Sequence, residues 1–144
     1  MTAREMWDLY SQKENITDAF DAWAFGDDAD ELARLVNAGI KTATASAGPL
    51  YDLDGEALPQ IGQYSVILDS RGEAVCVIRT TRVFVAPFSQ VDATHAYREG
   101  EGDRSLVYWR QVHERFFSAE MKAAGLRFRE DMPVVCEEFR KVFP

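Results

Sequence analysis

Between Gly39 and Ser46 the sequence GIKTATAS sets one lysine beside two threonines. A lysine taken out of water loses the hydration of its ammonium, which makes the neutral amine available as a base. A threonine hydroxyl next to a base is a nucleophile. Lys41 and Thr44 are therefore a candidate catalytic pair. On a regular strand, residues three apart point to opposite faces. The two side chains can share a pocket only if the chain bends near Lys41, just after a helix end. The competing reading is a solvated edge strand, where lysine and threonine are both common.

A second cluster lies in HAYREGEGDRS, His95 to Ser105, where Glu99, Glu101 and Asp103 alternate with glycines and are flanked by Arg98 and Arg104. Glycines permit backbone conformations that can aim a carboxylate inward. Close carboxylates raise one another's proton affinity, which suits a proton donor. The alternative is a solvated acidic loop, and the spacing lacks the twelve-residue ligand pattern of an EF-hand. His95 and His113 read as packing or capping residues, and Trp23 and Trp109 as core. Arg79 and Arg82, three apart on a strand, fall on opposite faces, so one of them, Arg79, is a candidate ligand contact. Two histidines and no Cys-x-x-Cys or His-x-x-x-His spacing give no metal site and no cofactor motif. Cys76 and Cys136 sit in apolar runs and read as buried free thiols.

The elements that must position these residues can be read from their patterns. Residues 4–12 and 17–23 are expected to form short helices carrying Trp7, Tyr10, Phe20 and Trp23. The run FGDDADELARLVNAG reads as a helix capped by Asp27 or Asp28, with Leu32, Leu35 and Val36 on one stripe and Gly39 ending it. Residues 40–46 suit a short strand, and Asp54-Gly55 with Pro59 marks a turn region. QYSVILDS and EAVCVIRTTRVFVAPF form a hairpin across Ser70–Gly72. Ser89 to Asp92 resembles a capping box before a short helix through Tyr97. A longer helix begins at Ser105, and a final strand runs from Val134 to Phe139 or beyond. Strands separated by helices of unlike length predict an α+β domain built on a small curved sheet or barrel. The 144 residues suit one domain, 1–144, with a helical extension at about residues 1–25.

The formal charge is −8, and the first 58 residues hold four basic side chains against twelve acidic ones. General affinity for nucleic acid rests on lysine and arginine neutralising phosphate, which this balance opposes. A small neutral ligand is electrostatically easier. No secretory signal pattern or membrane-spanning run is present, so the location expected is the cytoplasm.

The order of these segments resembles the ASCH domain family, which shares the fold of PUA RNA-binding domains. Gly39, Lys41 and Thr44 fall on its Gly-x-Lys-x-x-Thr-x-Arg signature, and VIRTTRV, PFSQV, HAYREGEGD, YWRQVHERFF and CEEFRKV follow in the order seen in its longer bacterial members. Nearly the whole chain takes part. The resemblance implies a small mixed β-barrel flanked by helices, with the signature lining a cleft. It also implies chemistry. A small ASCH relative is an amidohydrolase of N4-acetylcytidine, and its functional residues correspond to Lys41, Thr44 and, in a His-Ala-x-x-Glu segment, Glu99. In that reading Lys41 takes the proton of Thr44, Thr44 attacks the acyl carbon, and Glu99 protonates the departing amine; activation of water directly by Lys41 is the alternative mechanism. Ser46 departs from the arginine usual at the end of the signature. Ser46, Arg79 and Glu101 are the expected substrate contacts. The expected ligand is a nucleoside or nucleotide-sized base, with RNA a further partner class. A metal-independent ribonuclease and a non-catalytic RNA- or nucleotide-binding module are the alternatives.

Overall fold

A computed structural model describes residues 1–144. Its centre is one five-stranded sheet. In chain order the strands are β1 (Phe20–Ala24), β2 (Ala43–Ala47), β3 (Tyr64–Leu68), β4 (Ala74–Pro87) and β5 (Pro133–Phe143), and across the sheet they run β1-β3-β4-β5-β2. Only β1 and β3 are parallel; the other neighbours are antiparallel. Strand β4 is long enough to pair with β3 at one end and with β5 along its length. Register shifts at Val77/Ile78 and Thr80/Arg82 interrupt its pairing with β5. Bulges of this kind increase twist and bend the bulged strand. The result is a curled half-barrel. Its edge strands β1 and β2 do not pair, and they leave a gap.

The helices are α1 (Ala3–Glu14), α2 (Ala29–Asn37), α3 (Gly48–Asp54), α4 (Ala93–Glu99) and α5 (Leu106–Ala123), with a single 3-10 turn at Phe88–Gln90. Three apolar clusters fix them to the sheet. Met6, Trp7 and Tyr10 of α1 pack on Tyr64, Val66 and Val77. Ala33 and Val36 of α2 pack on Ile67, Cys76, Ile78 and Phe139. Trp109, Phe117 and Met121 of α5 meet Phe88, Val134 and Cys136. The α+β architecture expected from the sequence is the observed one.

Several local expectations need correction. Residues 17–23 are not a helix, because Phe20–Ala24 pairs along β3 and the backbone bonds of the sheet outweigh a weak helical pattern. The turn region before Pro59 contains a helix, α3, begun by Pro49 in its first turn and closed by Gly55 at φ 66°. Asp92, rather than Ser89, caps α4 by accepting from the His95 amide at 2.9 Å. Strand β2 starts at Ala43, not at residue 40. The amides of Ile40 and Lys41 instead donate to the carbonyl of Leu35, continuing the end of α2.

Candidate active site

That late start of β2 decides where Lys41 points. The Thr42 amide donates to Arg98 O at 2.8 Å, and Thr42 O accepts from the Phe139 amide at 3.0 Å. Lys41 is thereby held outside the strand ladder and escapes its alternation. Thr44 and Ser46 lie on β2 proper and share one face. All three line a single cavity of about 900 Å³ in the gap between β1 and β2. Trp23, Phe25, Tyr51 and Phe116 supply aromatic walls, and Ser65, Glu120 and Glu137 supply polar ones.

Lys41 and Glu99 are both only 1% exposed. Lys41 Nζ donates to Glu99 Oε1 at 3.2 Å, to the Glu99 carbonyl at 3.4 Å and to Glu101 Oε2 at 2.9 Å. An ammonium has three donors, and each has an acceptor here. The ring of Phe25 lies 5.3 Å away. Two carboxylates and a carbonyl oxygen thus surround the nitrogen.

The Glu99 carboxylate collects donors from every side. His95 Nε2–H donates to Oε2 at 2.8 Å, and the Trp109 indole N–H donates to the same oxygen. His113 Nε2 lies 3.5 Å from Oε1. Burial pushes the Glu99 carboxyl up, but the charges of Lys41 and His113 and the hydrogen bonds from His113 and His95 reverse this and hold it well below its ordinary value. Burial likewise works against a charged His113, and the carboxylates of Glu99 and Glu101 overcome it, raising His113 above the usual histidine value. Its Nδ1–H donates to the Trp109 carbonyl at 2.9 Å.

The loop geometry that builds this knot depends on Gly100. It adopts φ 73°, and a Cβ there would lie 2.6 Å from the carbonyl oxygen of Ile40. No side chain fits, so only glycine lets Glu99 and Glu101 approach Lys41 from both sides. Glu99, Glu101 and His113 bring ligand-type atoms within 4.8 Å of one another. Lys41 already sits between the two carboxylates, so these groups neutralise one another and do not form an open metal-ligand set.

The opposite wall is organised differently. Thr42 and Ser46 commit their hydroxyls to Arg98 O and to Tyr51 Oη, the latter at 2.7 Å. The hydroxyl of Thr44 has no hydrogen-bond partner in the chain, and Thr44 lines the cavity. Directly across from Thr44 on β5 is Glu137. Thr80 Oγ1 donates to Glu137 Oε2 at 2.6 Å. Burial raises Glu137 above the ordinary carboxylate value, against the lowering effect of that hydrogen bond.

The structure therefore gathers Lys41, Thr44, Ser46, Glu99 and Glu101 around one cavity. Arg79 stands apart: its guanidinium lies 5.1 Å over the ring of Tyr64, which belongs to the α1 cluster. Sequence reasoning missed Glu137, His113 and Tyr51. The spacing of His95, Glu99 and His113 on helices could have suggested that both histidines turn toward one carboxylate, but nothing local marks Glu137.

A family model for the ASCH domain matches residues 21–143. The chain belongs to the ASCH domain family. This ASCH domain is similar to an ASCH domain of Lactobacillus crispatus JV V101, with 34% identity and a TM-score of 0.88 over 97% of this chain and 96% of that one. It is also similar to a protein of Enterococcus faecalis V583, with 36% identity and a TM-score of 0.90 over 97% of this chain and 87% of that one. No curated protein matches. The curled sheet and flanking helices are thus a family property, in keeping with a PUA-like fold. No helix of this ASCH domain is long and apolar enough to cross a membrane.

Proposed function

We propose that this ASCH domain binds an uncharged, nucleoside-sized ligand in the cavity between β1 and β2 and hydrolyses an amide on it, with N4-acylated cytidine as the substrate class. One observation carries the reading: Lys41 and Thr44 of the signature and Glu99 of the His-Ala-x-x-Glu segment line or support one cavity. Aromatic walls at Trp23, Phe25 and Phe116 are suited to stacking a base. Charge argues for a nucleoside over a nucleotide. Carboxylates from Asp21, Asp27, Glu56, Glu120 and Glu137 line the cavity beyond the Lys41 knot, and no arginine does. A phosphate would meet these carboxylates with no free cation to pair it.

Thr44 Oγ1 is the nucleophile, because its hydroxyl alone on β2 is left to the cavity. Lys41 supplies positive charge beside the acyl oxygen. Glu101, 16% exposed and so the less buried of the two Lys41 carboxylates, is the acceptor that a substrate oxygen can replace. Glu99 holds Lys41 in place. Its low proton affinity makes it a poor proton donor, so its role is electrostatic rather than acidic.

The test is chromatographic. Purified protein is incubated with N4-acetylcytidine, and release of cytidine and acetate is followed beside Lys41→Met and Thr44→Val. Turnover by the wild type alone supports the reading. Absence of turnover, together with salt-sensitive retention of short RNA, would replace it with the binding-module reading.

A further inference from the structure

We infer that Glu137 is the general base that activates Thr44, and that Thr80 is the residue that orients it. The inference rests on the assignment of Thr44 as nucleophile in the preceding reading, and it supplies a group which that reading lacks. Lys41 is surrounded by acceptors, with both carboxylates and a carbonyl taking its three donors. It is not free to take a proton from a hydroxyl. Glu99 accepts from Lys41, His95 and Trp109 and lies within ion-pair distance of His113, so its oxygens are fully engaged.

Glu137 has the opposite character. It is the register partner of Thr44 across the β2–β5 ladder. Directly opposed side chains on an antiparallel pair lie on the same face with their Cβ atoms about 5 Å apart. Both residues line the cavity. Thr80 on β4 is the register partner of Phe139, two residues from Glu137 on β5, and from that diagonal position its hydroxyl donates to Oε2 at 2.6 Å. The carboxylate is thereby fixed at one oxygen, and Oε1 has no partner in the chain. This is the order of nucleophile, base and orienting group that hydrolytic sites use. The cavity that Glu137 lines is also lined by Thr44 from β2, Tyr51 from α3, Ser65 from β3, Glu120 and His113 from α5, and Lys41. Lys41 and His113 are held in the knot with Glu99 and Glu101. At Glu137 burial outweighs the Thr80 hydrogen bond and raises its proton affinity above that of an ordinary carboxylate, closer to what proton transfer near neutral pH needs.

The chemistry balances on Glu137 alone. Its carboxylate takes the Thr44 proton as the Oγ1–carbon bond forms. The protonated Glu137 then passes that proton to the amine nitrogen as the carbon–nitrogen bond breaks, leaving an acyl-Thr44 ester and the free amine. Water attacks the ester and gives its proton to Glu137. The carbon–Oγ1 bond breaks, Thr44 recovers the proton, and the acid leaves.

The experiment uses an activated ester, p-nitrophenyl acetate, so that it does not depend on amide turnover. Acetylation of Thr44 is followed by intact-protein mass spectrometry and peptide mapping across pH, in the wild type, Glu137→Gln and Glu130→Gln, the last an exposed carboxylate outside the cavity. The expected result is acetyl-Thr44 in the wild type and in Glu130→Gln, and at least a 100-fold slower reaction in Glu137→Gln. Gln can still accept the Thr80 hydrogen bond through its side-chain carbonyl. If Glu137→Gln does not fold, the wild-type pH profile decides: the rate should rise through one carboxylate titration and level off. A rate that climbs with hydroxide throughout, an unaffected Glu137→Gln, or no acetylation of Thr44 in the wild type overturns the inference. Acetylation that depends on Glu137 without hydrolysis of N4-acetylcytidine would instead retire the substrate assignment and leave the base in place.

Discussion

The two walls of the cavity carry the same kinds of side chain in opposite states. On the α4–α5 side, Glu99 is surrounded by Lys41, His95, Trp109 and His113, and its proton affinity is forced down. On the β2–β5 side, Glu137 has one hydrogen-bond donor, Thr80, and its proton affinity is forced up. Both carboxylates are buried. Burial therefore does not decide the outcome; the supply of compensating donors and cations does. A saturated carboxylate is fixed and holds its neighbours in place. An under-partnered one is available for proton transfer. In the proposed function, the wall beside Lys41 is the rigid one and the wall beside Thr44 the reactive one.

The contrast breaks most severely at the reactive wall. Thr44→Val preserves shape and β-propensity but removes the oxygen. Turnover of an acylated cytidine should fall by roughly 10³-fold or more while nucleoside binding changes little, because the loss falls on the transition state. Thr44→Ser should keep part of the rate. Single-turnover kinetics with isothermal binding separates the two effects.

The rigid wall should fail in stability instead. Glu99→Leu removes the carboxylate shared by Lys41 and His113 and leaves only Glu101 beside them, which should cost about 3–5 kcal/mol in denaturant unfolding. Loss of activity without loss of stability would move Glu99 from a holding role to a chemical one.

pH should separate the walls by sign. Glu99 is lowered from 4.5, so its stabilisation is complete above that value and is lost as pH falls through its folded value. Glu137 is raised from 4.5, so its contribution is present below that value and is lost as pH rises through its folded value. His113 is raised from 6.5 and behaves likewise on the neutral side: its contribution is full below 6.5 and declines as pH rises through its folded value. Unfolding midpoints measured from acid to mildly alkaline pH should show the His113 decline, and His113→Gln should flatten it.

The smallest effect is expected away from both walls. Cys76 and Cys136 are buried free thiols, each pushed up to about 12, chiefly by burial. Cys136→Ala should lower stability by ~1–3 kcal/mol through the cavity left behind and leave turnover unchanged. An inactive, folded Cys136→Ala protein would reopen a thiol mechanism.

Much of the rigid wall could be read in the sequence. Gly39, Lys41 and the spacing from His95 to Glu99 are local features, and the glycines around Glu101 announce an unusual loop. The helix of residues 29–37 and the β3–β4 hairpin were legible for the same reason: stripes and turns are written in neighbouring residues, although Asp28 at the start of that helix makes no side-chain capping bond. The reactive wall was not. Glu137 meets Thr44 only because β5 returns beside β2, and it meets Thr80 only because β4 pairs with β5. Neither pairing leaves a mark within a few residues of Glu137, and CEEFRKV reads as an ordinary amphipathic strand. The helix expected at 17–23 failed similarly, since its parallel partner β3 lies some forty residues further on. Arg79 looked like a ligand contact by residue type, but strand direction and α1 carry it to the Tyr64 cluster.

In the proposed function the cavity takes an uncharged acylated nucleoside. N4-acetylcytidine, its 5′-monophosphate and a short acetylated RNA can be compared as substrates at low and moderate salt. Cleavage of the nucleoside is expected at rates nearly independent of salt, with weak or no action on the monophosphate and the RNA. Preference for the phosphorylated substrates, falling steeply as salt rises, would contradict that reading.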